Sequence, residues 1–205
     1  MRLLPVPLIL VLASLGMAAS MAGPAIQGDP ARGAALMAER CAACHGPDGN
    51  SPVANFPKLA GQHAEYLLHE IIEYREHHRE SELMQPVVQG LSETDMADLA
   101  VFLAAQKPTP GTVTEPSLLA LGKRVYLEGN SDTGVPSCEG CHEEDGHGSA
   151  RFPRLAGQNV EYTLEQFRLY TAGKRPFGKK VMRTVAERLS EKEARAVAEY
   201  MASLP

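Results

Sequence analysis

Tryptophan is absent from this chain, and aromatic residues of any kind make up only 5% of it. No cluster of lysine and arginine resembles a nucleic-acid-binding arm. Acidic residues outnumber basic ones, 25 Asp+Glu against 20 Lys+Arg. Together these absences exclude nucleic-acid binding as a function class. No segment shows the sustained apolar–polar alternation of a half-buried strand, so the chain reads as all-α. Beyond the first residues, no apolar run reaches the ~20 residues that a spanning helix needs.

The opening MRLLPVPLILVLASLGMAAS places Arg2 before an apolar run and then small residues, the layout of a secretory signal peptide over residues 1–22. Pro5 and Pro7 interrupt that run, which disfavours a membrane anchor; if the segment were retained, the protein would be tethered peripherally to a membrane. Export places the four cysteines in a compartment where thiols can oxidise. Charge is uneven along the rest: residues 23–110 hold 6 Lys+Arg against 12 Asp+Glu, residues 111–205 hold 13 against 13.

The chain repeats itself. CAACHG at Cys41 returns as CEGCHE at Cys138, FPKLAGQHAEY at Phe56 as FPRLAGQNVEY at Phe152, and MQPVVQGLSETD at Met84 as MRTVAERLSEKE at Met182. The offsets are 97, 96 and 98 residues, in the same order, as duplication of one module produces. KPTPGTVTEP lies between the copies, and its prolines favour an extended connector. The boundaries follow: a first module over 23–107, a linker over 108–116 and a second module over 117–205.

Each module reads as three helices. Asp29 and Pro30 form an N-cap with proline at the first helical position, and Ser117 leads into the equivalent helix. A second helix covers Ala64 to Arg79 and its counterpart Val160 to Ala172. The third begins at Ser92 and Ser190, both in capping-box patterns, SETD and SEKE. Three helices in about 90 residues leave a thin hydrophobic core, which something else must fill.

Four readings compete for the cysteines. A redox-active CxxC pair belongs to a strand–helix context that this chain lacks. Zinc would need a fourth ligand at normal spacing, which is missing. A chance match is the third. The fourth is covalent haem attachment by Cys41 and Cys44, and by Cys138 and Cys141, with His45 and His142 facing the iron. Thiols three residues apart are about one helical turn apart, and two copies inside a duplicated module make haem the strongest of the four. For the opposite face of each iron, Met84 and Met182 share one register, 8 residues before the Ser that caps the third helix, in what read as loops. Met96 and Met201 fall on apolar helical stripes, as core filler does. His63, His69, His77 and His78 have no histidine counterpart in the second module, and His147 reads as a surface loop residue.

With these motifs the chain resembles the dihaem cytochrome c4 family, two class I cytochrome c domains in tandem, each wrapped around one covalent haem c. The resemblance rests on CAACH and CEGCH, the two FP(K/R)LAGQ blocks and the methionines ahead of the last helices. It implies haem attachment at Cys41, Cys44, Cys138 and Cys141, iron ligands His45, Met84, His142 and Met182, and carbonyls of Pro57 and Pro153 accepting the histidine ring N–H groups. With both axial positions filled, neither iron is open to oxygen or peroxide, which argues against a peroxidase. The expected function is periplasmic electron transfer in a respiratory chain, from a quinol-side donor complex toward a terminal oxidase. An electron-accepting subunit of a larger dehydrogenase, such as a flavocytochrome, is the alternative. Cations in RPFGKKVMR around the second methionine, against the acidic EYREHHRESE of the first module, point to docking faces of opposite sign.

Overall fold

The computed structural model describes residues 26–175 and 179–205. Residues 1–22, read above as a signal peptide, and the middle of GKRPFGKK lie outside them. In the first module α1 (Pro30–Leu36) runs through a π-helical turn (Met37–Cys41) into the short α2 (Ala42–His45), followed by α3 (Ala64–Arg75), α4 (Met84–Val88) and α5 (Glu93–Ala104). The second repeats the order: a 3-10 turn (Pro116–Leu118), α6 (Leu119–Glu128), α7 (Glu139–His142), α8 (Val160–Thr171), α9 (Lys179–Arg188) and α10 (Glu191–Ser203). Among the described residues there is no strand, only two isolated bridges, Asn130 with Val135 and Ser149 with Phe152. No described helix is long and apolar enough to cross a membrane.

The helix starts form for local reasons. The Asp29 carboxylate accepts from the N–H groups of Ala31 and Arg32, ahead of Pro30 at the first helical position. Ser92 and Ser190 each make both bonds of a capping box, with Asp95 and Glu193 reaching back to the cap amide. The second helix of the first module is shorter than the expected Ala64–Arg79, whereas α8 matches its expected span to one residue, with Ala172 as the C-cap. α3 stops at Arg75, and His77 then adopts φ 59°, a left-handed conformation that ends the helix and turns the chain toward α4.

The first and last helices of each module cross at a glycine. A Cβ on Gly33 would lie 2.2 Å from the Asp98 carbonyl oxygen of α5, and one on Gly122 2.0 Å from that of Ala196 in α10. Any larger residue forces these helices apart. Each module therefore has its own small core: Met37, Leu67, Val88, Leu91, Met96 and Leu99 in the first, and Val125, Tyr126, Phe167, Tyr170, Val197 and Met201 in the second.

Between Lys107 and Glu115 the chain has no helix and is pinned on both sides. Asn50 Oδ1 accepts from Thr109 N at 2.8 Å, and Lys58 Nζ donates to Thr109 O at 2.9 Å, while Gly111 N donates to Ala202 O at 3.1 Å. Glu199, buried in α10, takes both the N–H and the hydroxyl of Thr114. The modules also meet directly. Asn159 Nδ2 donates to the carbonyls of Phe56 at 2.8 Å and Val53 at 3.1 Å, and Tyr162 N to Ala54 O at 3.2 Å.

Deeper in the interface sits a buried box of charge. Arg79 contacts Glu70 of its own module and donates to Gln166 Oε1 of the other at 2.7 Å. Arg175 donates to Gln166 Oε1 at 3.1 Å, lies 3.4 Å from Glu70 Oε1 and contacts the Tyr66 hydroxyl. Each guanidinium also stacks on a tyrosine of its own module, Arg79 at 4.5 Å from the Tyr74 ring and Arg175 at 4.8 Å from that of Tyr170.

Candidate functional site

His45 and His142, the last residues of α2 and α7, are each 6% exposed. Nδ1 of His45 lies 3.1 Å from the Pro57 carbonyl oxygen, and Nδ1 of His142 2.9 Å from that of Pro153. A carbonyl only accepts, so Nδ1 carries the proton and Nε2 keeps its lone pair for a metal. Burial pulls both imidazoles below their usual range; the carbonyl contacts oppose it, and at His142 the charge of Arg175 adds to it. Both rings are therefore neutral, the form that binds iron. Phe56 and Phe152 flank the rings at centroid distances of 6.2 and 6.0 Å. The FP dipeptide of each repeat thus contributes a ring against the imidazole and a carbonyl for its N–H.

No two of the four cysteines are joined in a disulfide. Burial, opposed by Arg40 and reinforced by Cys44, pushes the Cys41 thiol up to about 11; burial with Cys141 pushes Cys138 up to about 12. Among the described residues, no group of three or more His, Cys, Asp or Glu side chains is arranged to hold a metal ion.

The methionines stand differently from the loop positions expected. Met84 opens α4 and Met182 lies within α9. Each amphipathic helix turns its apolar side inward, which a loop reading of RESELM and GKRPFGKKVM did not anticipate. Met84 packs against the same core as Cys41, and Met182 against the same core as Cys138. Met37, Met96 and Met201 are buried core residues. His77, His78 and His147 are exposed, and His63 Nε2 lies 2.9 Å from the His147 carbonyl oxygen. In each half one cysteine and one methionine pack against the same core, and a buried imidazole at the end of the CxxCH turn keeps Nε2 free of the proton, donors whose chemistry fits covalent haem c.

The cytochrome c family model matches residues 30–107 and 119–205. Cytochrome c4 of Thiocapsa roseopersicina is 42% identical over 183 residues, 86% of this chain and 93% of that one. This chain is a member of the cytochrome c4 family. The structure of reduced recombinant cytochrome c4 from Pseudomonas stutzeri superposes with a TM-score of 0.83 at 35% identity, covering 87% of this chain and all of that one. A protein of Stutzerimonas stutzeri named thiosulfate dehydrogenase electron acceptor is 34% identical over 178 residues, 84% of this chain and 82% of that one. Like other cytochromes c4, then, the chain is an electron-transfer protein with two cytochrome c domains, whose cysteine pairs imply two haem c groups.

Two groups of residues escaped sequence reading. Gln62 Nε2 donates to Arg154 O at 3.0 Å while its Oε1 accepts from Arg154 N at 2.8 Å; Gln158 does the same with Lys58, at 2.9 Å for each bond. The arginine–tyrosine box is the second group. Their signal was present: Lys58/Arg154, Gln62/Gln158, Tyr66/Tyr162, Tyr74/Tyr170 and Arg79/Arg175 all repeat at an offset of 96 residues.

Proposed function

We propose that this chain is a periplasmic carrier in a respiratory chain, taking electrons from a quinol-side donor complex and passing them toward a terminal oxidase. In this reading residues 1–22 are removed on export, 23–107 and 117–205 are the haem modules and 108–116 joins them. Cys41 and Cys44 would hold one haem and Cys138 and Cys141 the other, each through a thioether bond. His45 with Met84 would hold one iron, and His142 with Met182 the other. The iron supplies one-electron chemistry between its ferric and ferrous states. The chain's own part is to fix the imidazoles through Pro57 and Pro153, exclude water and place thioether sulfur, which raises the potential above that of a second imidazole. The observation that carries the reading is the duplicated donor set, two cysteines, a histidine and a methionine at matching positions in each half. A spectroscopic redox titration tests it: two high-potential His/Met centres are expected, whereas low bis-histidine potentials would overturn the ligand assignment.

Docking follows from the surroundings of the two methionines. Leu83 is 68% exposed between the exposed Glu82 and Met84; Val181 is 60% exposed between the exposed Lys180 and Met182. Apolar contacts rimmed by opposite charges give one face for a cationic partner and one for an acidic partner. A second reading, that the chain accepts electrons from a dehydrogenase, is favoured by its likeness to the protein named thiosulfate dehydrogenase electron acceptor. Reduction rates with a quinol-oxidising complex and with a thiosulfate dehydrogenase separate the two.

A further inference from the structure

The peptide group between Pro57 and Lys58 is bonded at both ends. Its carbonyl oxygen faces His45 Nδ1 at 3.1 Å, and its N–H donates to Gln158 Oε1 at 2.9 Å. The peptide between Pro153 and Arg154 repeats the arrangement: the carbonyl faces His142 Nδ1 at 2.9 Å, and the N–H donates to Gln62 Oε1 at 2.8 Å. In both cases the glutamine belongs to the other module. It is also held, because its Nε2 donates to the carbonyl of the same Lys58 or Arg154, at 2.9 and 3.0 Å, and it is 9% exposed at Gln158 and 6% at Gln62.

We infer that Gln158 is a positioning residue for the first haem and Gln62 for the second, each acting across the module interface through one peptide group on the histidine ligand of the opposite half. An amide whose N–H is engaged by an acceptor has a more negative carbonyl oxygen, as hydrogen bonds in a chain strengthen one another. The stronger acceptor draws the ring proton, gives the imidazole more anionic character and makes Nε2 a better donor. A better donor favours ferric iron. Each module therefore lowers the reduction potential of the other's haem for as long as the modules stay docked, and a partner that loosens the interface raises both potentials.

The inference rests on His45 and His142 being iron ligands. The test is an NMR-monitored redox titration of the whole holoprotein, with haem signals assigned to each module through Met84→His and Met182→His variants. Gln158→Met, similar in shape but without the amide, is expected to raise the reduced-to-oxidised ratio of the first haem about three- to tenfold at fixed ambient potential, tenfold being ~59 mV for a one-electron couple. The second haem is expected to stay within about twofold, since the Pro153 carbonyl that faces His142 is untouched. Gln62→Met should give the mirror image. Asn159→Ala, which removes interface bonds to Phe56 and Val53 but leaves the Pro57–Lys58 peptide alone, controls for loosening.

Equal shifts in both haems, a shift confined to the glutamine's own module, or an effect of Asn159→Ala as large as that of Gln158→Met would overturn the inference. Should the methionine variants fail to fold, hyperfine-shifted ring N–H signals of the two ligands give a second measure. Their exchange with solvent is expected to quicken for His45 in Gln158→Asn and for His142 in Gln62→Asn, and unchanged exchange counts against the link. Failure of the ligand reading looks different, because the wild-type protein would then lack hyperfine-shifted imidazole signals before any substitution.

Discussion

Where the first module leaves its CxxCH turn through Gly46 at φ 76°, the second leaves through Glu143 at φ 65°, with ψ near 160° in both. Where α3 presents Glu70 to the interface, α8 presents Gln166; where α4 begins beside Glu82, α9 runs on from Lys180. The donors themselves do not differ. Duplication has kept the cysteines, histidine and methionine of each half and let the charge and backbone around them drift, which is how two like sets come to have unlike environments.

The largest break in that comparison comes from removing one attachment site. Cys138→Ala with Cys141→Ala is expected to lower the intact mass by one haem and leave the first module loaded; loss of both haems would show that the modules mature together.

Next in size is the charge box. Removing one partner of a buried ion cluster costs about 3–5 kcal/mol, so Glu70→Gln, which leaves Arg79 and Arg175 uncompensated, is expected to lower the unfolding free energy by about that amount. Burial alone would raise the Glu70 carboxyl, but Arg175 and Arg79 outweigh it and hold the group below its ordinary value of 4.5. Its stabilisation is therefore complete above that pH and is lost as the pH falls through the lowered folded-state value. Denaturation across acid pH should show a loss in the parent that Glu70→Gln lacks. Gln166→Glu places a carboxylate where both guanidiniums already donate, and is expected to stabilise the protein near neutral pH.

The turn after each histidine gives a smaller effect of known sign. The backbone region of Glu143 is essentially reserved for glycine and costs other residues about 1–3 kcal/mol. Glu143→Gly is expected to raise stability by about 1 kcal/mol, and Gly46→Glu to lower it by a similar or larger amount. Thermal unfolding of the pair measures both.

The smallest change concerns docking. Lys180→Glu is expected to slow electron exchange with an acidic partner severalfold at low ionic strength, a difference that fades near 1 M salt, where the screening length is only about 3 Å. Equal rates at low salt would leave the second module's positive face without a role.

Much of the molecule is legible from its residues. Asp29–Pro30, Ser92 and Ser190 mark helix starts whose capping bonds are present, and the spacing of CxxCH with the FP dipeptide brings together atoms close in sequence. The length of α3 and the helical setting of Met84 and Met182 were not legible, because a turn at His77 and burial against a core override local pattern. Gln62 and Gln158 stayed hidden for a different reason. Their partners lie 92 and 100 residues away in sequence, and a glutamine between glycine and a polar residue gives no local sign of what it faces.

By itself, then, the sequence determined the duplication, the helical class and the identity of the cofactor, since those depend on spacing within a turn or on recurrence along the chain. Only the tertiary structure decided which peptide each glutamine grips and that one carboxylate serves two arginines. Those pairings bring together residues about 90 to 105 positions apart, across a surface that exists only once both modules have folded.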